Sequence, residues 1–253
     1  MRRLIVNADD FGLTPGINRA IIEAHTRGIV TSATLMANMP AFDEAVRLAK
    51  AHPTLGVGLH FNLTQGRPIV APEQVPSLLN ERGEFLGTST QLWQRALTRR
   101  LQREEIVLEF RAQVEKVLEA GLQLTHVDSH KHAHAIAPVF AAINATLGLY
   151  NIRALRLPRE PVRWGQACRS LKLLKQALTA SALSYLCRDF QRQLDATATR
   201  TTAAFFGITQ TGCWSKRRAW VLCSRSGDGS QLRTRPCRGW RTLGGWSWLS
   251  RLR

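Results

Sequence analysis

The segment LIVNADDFG at residues 4–12 decides the first unit of the fold. Its apolar start, residues 4–8, predicts a buried strand, after which Asp-Asp-Phe-Gly turns the chain. Thr14 and Pro15 then predict a helix that begins with a capping side chain and a proline at its first position. The segment therefore predicts a strand, a turn and a helix, which is the repeating unit of an α/β fold.

The same alternation continues along the chain. Further strands are predicted at 29–36, 55–63, 122–127 and 152–157, and further helices at 40–51, 104–120, 137–147 and 170–194. Residues 65–100 are predicted to form a long irregular connection that carries substrate specificity. Because alternating strands and helices build parallel sheets, we expect an α/β fold of the TIM-like (β/α) barrel type.

Length and composition fit this expectation. The 253 residues, 44% of them hydrophobic, suffice for one large core. No apolar run reaches 18 residues, and the five cysteines contain no C-x-x-C pair, so we expect neither a signal peptide nor a disulfide framework. The sequence therefore favours a cytoplasmic protein.

The net charge of +17 is concentrated near the end of the chain. Residues 213–253 hold ten of the 35 Lys and Arg residues, one of the 18 acids and five of the seven Trp, with no helical or strand period. We predict one domain at 1–212 and a disordered basic tail at 213–253. A basic nucleic-acid-binding protein is the alternative class, but residues 1–212 show no recognised reader motif.

A histidine cluster is the strongest chemical signal. Residues 125–134, THVDSHKHAH, hold four of the seven histidines. In an extended segment His126, Asp128 and His130 point to one side, so imidazole and carboxylate can converge on one cation. The alternative interpretation is a solvated histidine-rich loop.

Two more signals stand at strand ends. Asp9 and Asp10 follow the first strand, and adjacent carboxylates repel unless a cation or hydrogen bonds offset the repulsion. His60 ends the third strand, and Arg156 lies near the end of the fifth. Each alone also fits a turn cap or a packed core residue. Together with the histidine cluster they predict one site at the carboxyl ends of the strands.

Four segments resemble the YdjC/ChbG carbohydrate deacetylases in sequence and order. They are LIVNADDFG at 4–12, GIVTSAT at 28–34, GLHFNLT at 58–64 and THVDSH at 125–130. Three more, LTPGINR at 13–19, RLPREP at 156–161 and FGITQTG at 206–212, are most similar to the HpnK branch, which is associated with hopanoid lipid biosynthesis. The resemblance covers residues 1–212 and implies the deacetylase type of (β/α) barrel.

This resemblance implies a metal held by Asp10, His60 and His130, with Asp9 as the catalytic base. The implied reaction is hydrolysis of the N-acetyl group of an N-acetylglucosamine-type sugar, the headgroup of a hopanoid in the HpnK branch. The implied substrate-binding residues are His126, Asp128, His132, Arg156 and Glu160. Magnesium is the first metal by resemblance, while one carboxylate and two imidazoles also suit zinc or manganese.

The resemblance also implies partners. We expect an N-acetylated amino sugar or glycolipid as substrate, peripheral contact with the inner face of a membrane, and no nucleic acid, while a homodimer stays open. The 170–194 segment, with its leucines, lysines and arginines, is either an interfacial helix or an ordinary barrel helix. Another carbohydrate hydrolase or isomerase on the same scaffold is the alternative activity, because fold and ligands alone do not choose a substrate.

The end of the sequence departs from the family, whose members continue with a helix, a strand and a His-Pro-Gly motif. No histidine follows His134. Our hypothesis is that residues 213–253 are an out-of-frame translation. The barrel would then be incomplete, with an open sheet edge.

Overall fold

Strands and helices alternate in the computed structural model, which describes residues 3–162, 164–168, 170–210 and 247–252. The strands are β1 (Arg3–Phe11), β2 (Ser32–Leu35), β3 (Gly56–Phe61), β4 (Val127–Ser129), β5 (Thr202–Phe206) and β6 (Ser247–Leu252). The helices are α1 (Pro15–Thr26), α2 (Phe42–Ala51), α3 (Ser89–Leu97), α4 (Arg103–Glu119), α5 (Ala137–Thr146), α6 (Trp164–Ala167) and α7 (Leu171–Ala196).

The first four strands form a parallel sheet in chain order. The whole sheet has the order β4-β3-β2-β1-β6-β5, and β6 runs antiparallel to both of its neighbours. Isolated parallel bridges continue it beyond β4 at Leu155 and from Ala154 to Arg200. The predicted α/β class is confirmed, with the parallel strands curved into a half-barrel that carries helices.

Local sequence accounts for the best-defined elements. Thr14 caps α1 by accepting a hydrogen bond from the backbone N–H of Ile17. The fully buried residues of α4 recur at helical spacing and include Phe110, whose ring meets that of Phe61 in β3 edge to face at 5.1 Å. Gly121, with φ +78°, lies just past the end of α4, where a left-handed residue ends a helix.

Several boundaries differ from the predicted ones. The fourth strand was expected at 122–127, but β4 spans Val127–Ser129, whose residues pair with Leu59, His60 and Phe61 of β3. The strand expected at 152–157 is reduced to two isolated bridges. The 65–100 connection contains α3 and two short 3₁₀ turns. Residues 202–206, for which no strand was predicted, form β5.

The predicted tail lies largely outside the described residues. Residues 211–246 are not among them, whereas Ser247–Leu252 form β6 between β1 and β5. The division into a domain at 1–212 and a tail at 213–253 stays a prediction. None of the helices in the described ranges is long and apolar enough to span a membrane.

Candidate metal centre

A local irregularity in β1 brings two adjacent carboxylates to one site. Successive residues of a regular strand point to opposite faces, so Asp9 and Asp10 would normally diverge. The pairing of β1 with β2 shifts register between Ala8 and Phe11, and Asp10 has φ 65° in the left-handed region. Such a conformation is costly outside glycine and is often found at functional sites.

Asp10, His60 and His130 form a compact group. Asp10 Oδ1 lies 3.3 Å from His60 Nε2 and 2.9 Å from His130 Nδ1. One ligand atom from each of the three side chains lies within 4.8 Å of the others, so the group can hold a metal ion. The structure thus brings together the three side chains that the resemblance names as ligands.

The His60 ring contacts Asp128 of β4 through Nδ1, the ring nitrogen that does not face Asp10. Its Nδ1 lies 2.5 Å from Asp128 Oδ1 and 3.2 Å from the hydroxyl of Thr34. An Nδ1–H that donates to Asp128 leaves the lone pair of Nε2 directed at Asp10. Carboxylate–histidine pairs of this kind fix the tautomer and orientation of metal-binding histidines.

Arg156 joins the two other buried carboxylates. It donates to Asp9 through Nη1 at 3.1 Å and Nη2 at 2.7 Å, and it also contacts Asp128 Oδ2. Asn7 Nδ2 adds a third hydrogen bond to Asp9, at 2.7 Å. Asp9, His60 and Asp128 also lie close enough together to hold an ion, but the guanidinium already occupies these two carboxylates.

The excess of buried negative charge and an unpaired buried nitrogen both fit a divalent cation at the group of Asp10, His60 and His130. Three carboxylates at this site are buried, those of Asp9, Asp10 and Asp128, and Arg156 is the only buried Lys or Arg among the described residues. The formal deficit is two charges, and buried charges require compensation. His130 Nε2 is buried and makes no hydrogen bond to the described residues, as expected for an atom available to a ligand.

Electrostatics keep these groups in forms that bind cations. Burial opposes ionisation of Asp10, but the imidazole groups of His130 and His60 beside it outweigh burial and hold its pKa well below the usual range. For Asp9, burial is outweighed chiefly by the charge of Arg156 and its hydrogen bond, so the pKa of Asp9 is also lowered. Burial lowers the pKa of His130 and favours the neutral imidazole that a metal requires.

His126 does not join the metal group, although the residue pattern of β4 places it on the same face as Asp128. Its half-buried ring lies over Gly58 in β3, and its Nδ1 is 2.8 Å from the hydroxyl of Thr125. Burial, and then the charge of Arg156, lower the pKa of His126 to about 4. Its implied role in substrate binding stays a prediction.

Replacing Gly58 by alanine should disturb this packing. A Cβ at Gly58 would lie 2.5 Å from the His126 ring, whereas one at Gly56 of the same strand would meet its nearest atom at 3.5 Å. We expect Gly58→Ala to lower the free energy of unfolding by about 1–3 kcal/mol. Urea denaturation measures the effect, and Gly56→Ala is the control. Equal stability of the two variants would contradict the packing described.

The remaining histidines of the cluster form a turn beside the site. Lys131 and His132 adopt left-handed φ values of 52° and 56°, which reverse the chain directly after His130. His134 is buried with its Nδ1 2.5 Å from Ser129 Oγ, and His132 packs against the ring of Phe205 at 5.7 Å. The implied substrate contact of His132 stays a prediction.

Glu160 has partners within the protein. Its buried carboxylate accepts hydrogen bonds from the backbone N–H groups of Gly207, Ile208 and Thr209 and from the Thr209 hydroxyl. Glu160 therefore anchors the turn after β5. Its implied role in substrate binding stays a prediction.

Sequence reasoning missed several residues that support the site. Asn7 and Thr34 bind Asp9 or His60, and Gly58 makes room for His126. Asn7 is two residues before Asp9 and Gly58 is two before His60, so the period of two in a strand was the signal available for both. The contact of Thr34 had no such signal.

Removing the negative charge of Asp128 tests whether this carboxylate orients His60 for metal binding. We expect Asp128→Asn to weaken binding of a divalent cation by about 10–100-fold, because the amide holds the His60 Nδ1–H less strongly. Titration calorimetry with Zn²⁺, Mn²⁺ and Mg²⁺ measures the change. Asp189→Asn, at an exposed position on α7, is the matched control. Unchanged affinity in Asp128→Asn would exclude this role.

Comparison with known proteins places this chain in a family. A family model described as YdjC-like protein matches residues 3–229. The chain belongs to the YdjC-like family. This match extends beyond residue 212, where the resemblance in the sequence ended.

Three relatives of this YdjC-like chain bear the name carbohydrate deacetylase. The protein from Geobacillus stearothermophilus is 49% identical over 162 residues, which are 64% of this chain and 60% of that protein. The protein from Brevibacillus brevis is 52% identical over 133 residues, 53% and 50% of the two chains. The protein from Vibrio cholerae is 47% identical over 140 residues, 54% and 53%. The matched region thus spans half to three fifths of these relatives.

A solved structure shares the fold of this family member. It is described as a cellobiose-phosphate cleavage protein from Enterococcus faecalis, with a TM-score of 0.66 and 28% sequence identity. The alignment covers 88% of this chain and 75% of that one. The likeness supports the half-barrel architecture over most of the chain.

Proposed function

We propose that this protein is a metal-dependent hydrolase that removes the N-acetyl group from an N-acetylglucosamine-type sugar. The observation that carries the proposal is the group of Asp10, His60 and His130, with the Asp9 carboxylate beside it on the same strand. Relatives named carbohydrate deacetylase support this substrate class.

A divalent cation held by Asp10, His60 and His130 would polarise the acetamide carbonyl and acidify water. The charge of Arg156 lowers the pKa of Asp9 and keeps it ionised at neutral pH, which a proton acceptor requires, although the same shift makes the carboxylate a weaker base. Arg156 and Asn7 hold the Asp9 carboxylate in one orientation. Asp128 holds His60 in the tautomer that leaves Nε2 free for a cation.

Asp9→Asn separates proton transfer from metal binding. We expect acetate release from N,N′-diacetylchitobiose to fall by about 10²–10⁴-fold, because the amide cannot accept the proton. Metal affinity, measured by titration calorimetry, should stay within a few fold. Acetate release at the level of the wild type in Asp9→Asn would exclude it as the base. No acetate release by the wild-type protein in the presence of Mg²⁺, Zn²⁺ or Mn²⁺ would refute the deacetylase proposal.

For the finer substrate we propose the N-acetylglucosamine headgroup of a hopanoid lipid, as the resemblance to the HpnK branch implies. The outer face of α7 supports contact with a membrane surface, because Leu171, Leu178 and Tyr185 recur every seven residues and are 78%, 54% and 70% exposed. No Asp or Glu occurs in 164–188, and Lys172 lies beside the stripe. Wild-type protein that fails to sediment with anionic vesicles would exclude this contact.

The second candidate is hydrolysis or isomerisation of another carbohydrate at the same metal centre. The neighbour from Enterococcus faecalis, described as a cellobiose-phosphate cleavage protein, favours it. Product analysis distinguishes the two candidates, since a deacetylase releases acetate and leaves the glycosidic bond intact. Release of glucose or of glucose phosphate from cellobiose phosphate would favour the second.

A further inference from the structure

Three side chains on one face of α4 bind the backbone of the segment that follows β3. Glu105, Glu109 and Gln113 are spaced by four residues, which places them one above the other along the helix. Gln113 Oε1 accepts from the Asn62 N–H at 3.1 Å, and Gln113 Nε2 donates to the Asn62 carbonyl at 2.8 Å. The side-chain amide thus pairs with Asn62 as the backbone of a neighbouring strand would.

Glu109 binds the next part of the segment. It is fully buried and accepts from the backbone N–H groups of Ile69 at 3.0 Å and Val70 at 3.2 Å. It also accepts from Gln113 Nε2 at 2.8 Å, so the two side chains act as one unit. A buried carboxylate is strongly disfavoured unless such donors surround it, which makes this arrangement specific for the observed path of the backbone.

Glu105 binds the far end of the segment. Its Oε2 accepts from the Ser77 N–H at 2.7 Å, and Arg95 of α3 donates to the Ser77 carbonyl at 2.6 Å. As the segment proceeds from 62 to 77, its partners on α4 proceed backwards from 113 to 105. Residues 62–78 therefore run antiparallel along α4, fixed at three points, and we call Glu105, Glu109 and Gln113 the α4 ladder.

The fixed segment borders the candidate metal centre. Asn62 is only two residues past His60, and the Asn38 side chain, just past β2, donates to the carbonyls of Gln65 and Arg67. The segment thus leaves β3 at the strand end that carries His60 and then passes the end of β2. Loops at the carboxyl ends of parallel strands are where such folds bind substrates.

We propose that the α4 ladder positions residues 62–78 as a wall of the substrate site and so determines how tightly the sugar is bound. This inference rests on the proposed function, since it assigns the wall to the same metal centre. Glu109, Gln113 and Glu105 are positioning residues, and they act through the backbone they hold.

Hydrogen exchange and kinetics test the proposal in the full chain. In Glu109→Gln, one carboxylate oxygen becomes an N–H donor, and each of the two oxygens faces two N–H donors, from Ile69 and Val70 or from Ile69 and Gln113. We expect amide exchange in 66–71 to accelerate by about tenfold or more. KM for N,N′-diacetylchitobiose should rise roughly five- to tenfold with kcat within about twofold. Glu104→Gln, at the exposed neighbouring position of α4, is the control and should change neither.

Glu105→Gln is a second variant at a half-buried position, for the case that Glu109→Gln does not fold. It should accelerate exchange only around residues 76–79 and raise KM by a smaller factor. Unchanged exchange in the segment would overturn the ladder, and faster exchange with unchanged KM would overturn its role in substrate binding. Exchange requires no turnover, so a wild-type protein without deacetylase activity refutes the proposed function and still leaves the ladder to be decided by exchange.

Discussion

Replacing Asp10 by asparagine should abolish most metal binding and activity. Asparagine tolerates the left-handed φ of 65° at this position, so the backbone of β1 is not disturbed by the change. The carboxylate that lies 2.9 Å from His130 Nδ1 and 3.3 Å from His60 Nε2 is lost. Since a metal ion contributes several kcal/mol to catalysis of this kind, deacetylation should fall on the order of 10³-fold.

Metal content and acetate release measure this effect. Asp43→Asn, at an exposed position in the first turn of α2, is the control and should bind metal like the wild type. If Asp10→Asn retained the metal content and affinity of the wild type, the metal centre would lie elsewhere.

Replacing Arg156 by methionine should produce the largest loss of stability. Methionine fills similar space but leaves the buried carboxylates of Asp9 and Asp128 without their shared cation. Breaking a buried ion pair by removing one partner costs about 3–5 kcal/mol. Urea denaturation at neutral pH measures the free energy of unfolding of the metal-free protein.

A double variant shows whether the cost comes from the unpaired charge. Asp9→Asn combined with Arg156→Met removes one of the two stranded carboxylates, so part of the stability should return. Arg153→Met is the single-site control, because Arg153 is exposed three residues earlier in the same segment and should change stability by less than about 0.5 kcal/mol. A loss in Arg156→Met no larger than in Arg153→Met would show that Arg156 does not compensate the buried carboxylates.

The fold class was accessible from the sequence because it depends on local periodicity. The apolar run at 4–8, the Thr14 cap and the α4 stripe each determine a local element, and the structure has β1, α1 and α4 at those places, although β1 continues to Phe11 through the predicted turn. The strand expected at 152–157 and the unpredicted β5 show the limit. Whether a short apolar stretch becomes a strand depends on a partner of distant sequence, as in the bridge from Ala154 to Arg200.

Part of the candidate site was accessible for a similar reason. Parallel strands end on one edge of the sheet, so the Asp9–Asp10 pair, His60 and the histidine cluster were expected to lie together, whereas the choice of Asp10, His60 and His130 as ligands came from the family resemblance. The side chains of residues 126, 128 and 130 were predicted to point to one side and to converge on one cation, but of these three only His130 belongs to the group with Asp10 and His60. β4 ends at Ser129, so Asp128 lies behind His60 while His130 reaches Asp10.

The sequence alone determined the order of strands and helices and the residue types at the strand ends, because both depend on near neighbours in the chain. Only the tertiary structure decided which partner each of those side chains contacts. The register shift in β1 directs Asp9 to Arg156 and Asp10 to the two histidines, and α4 holds the backbone after His60. These arrangements join residues between 28 and 147 positions apart, and no local pattern encodes which buried charge meets which partner.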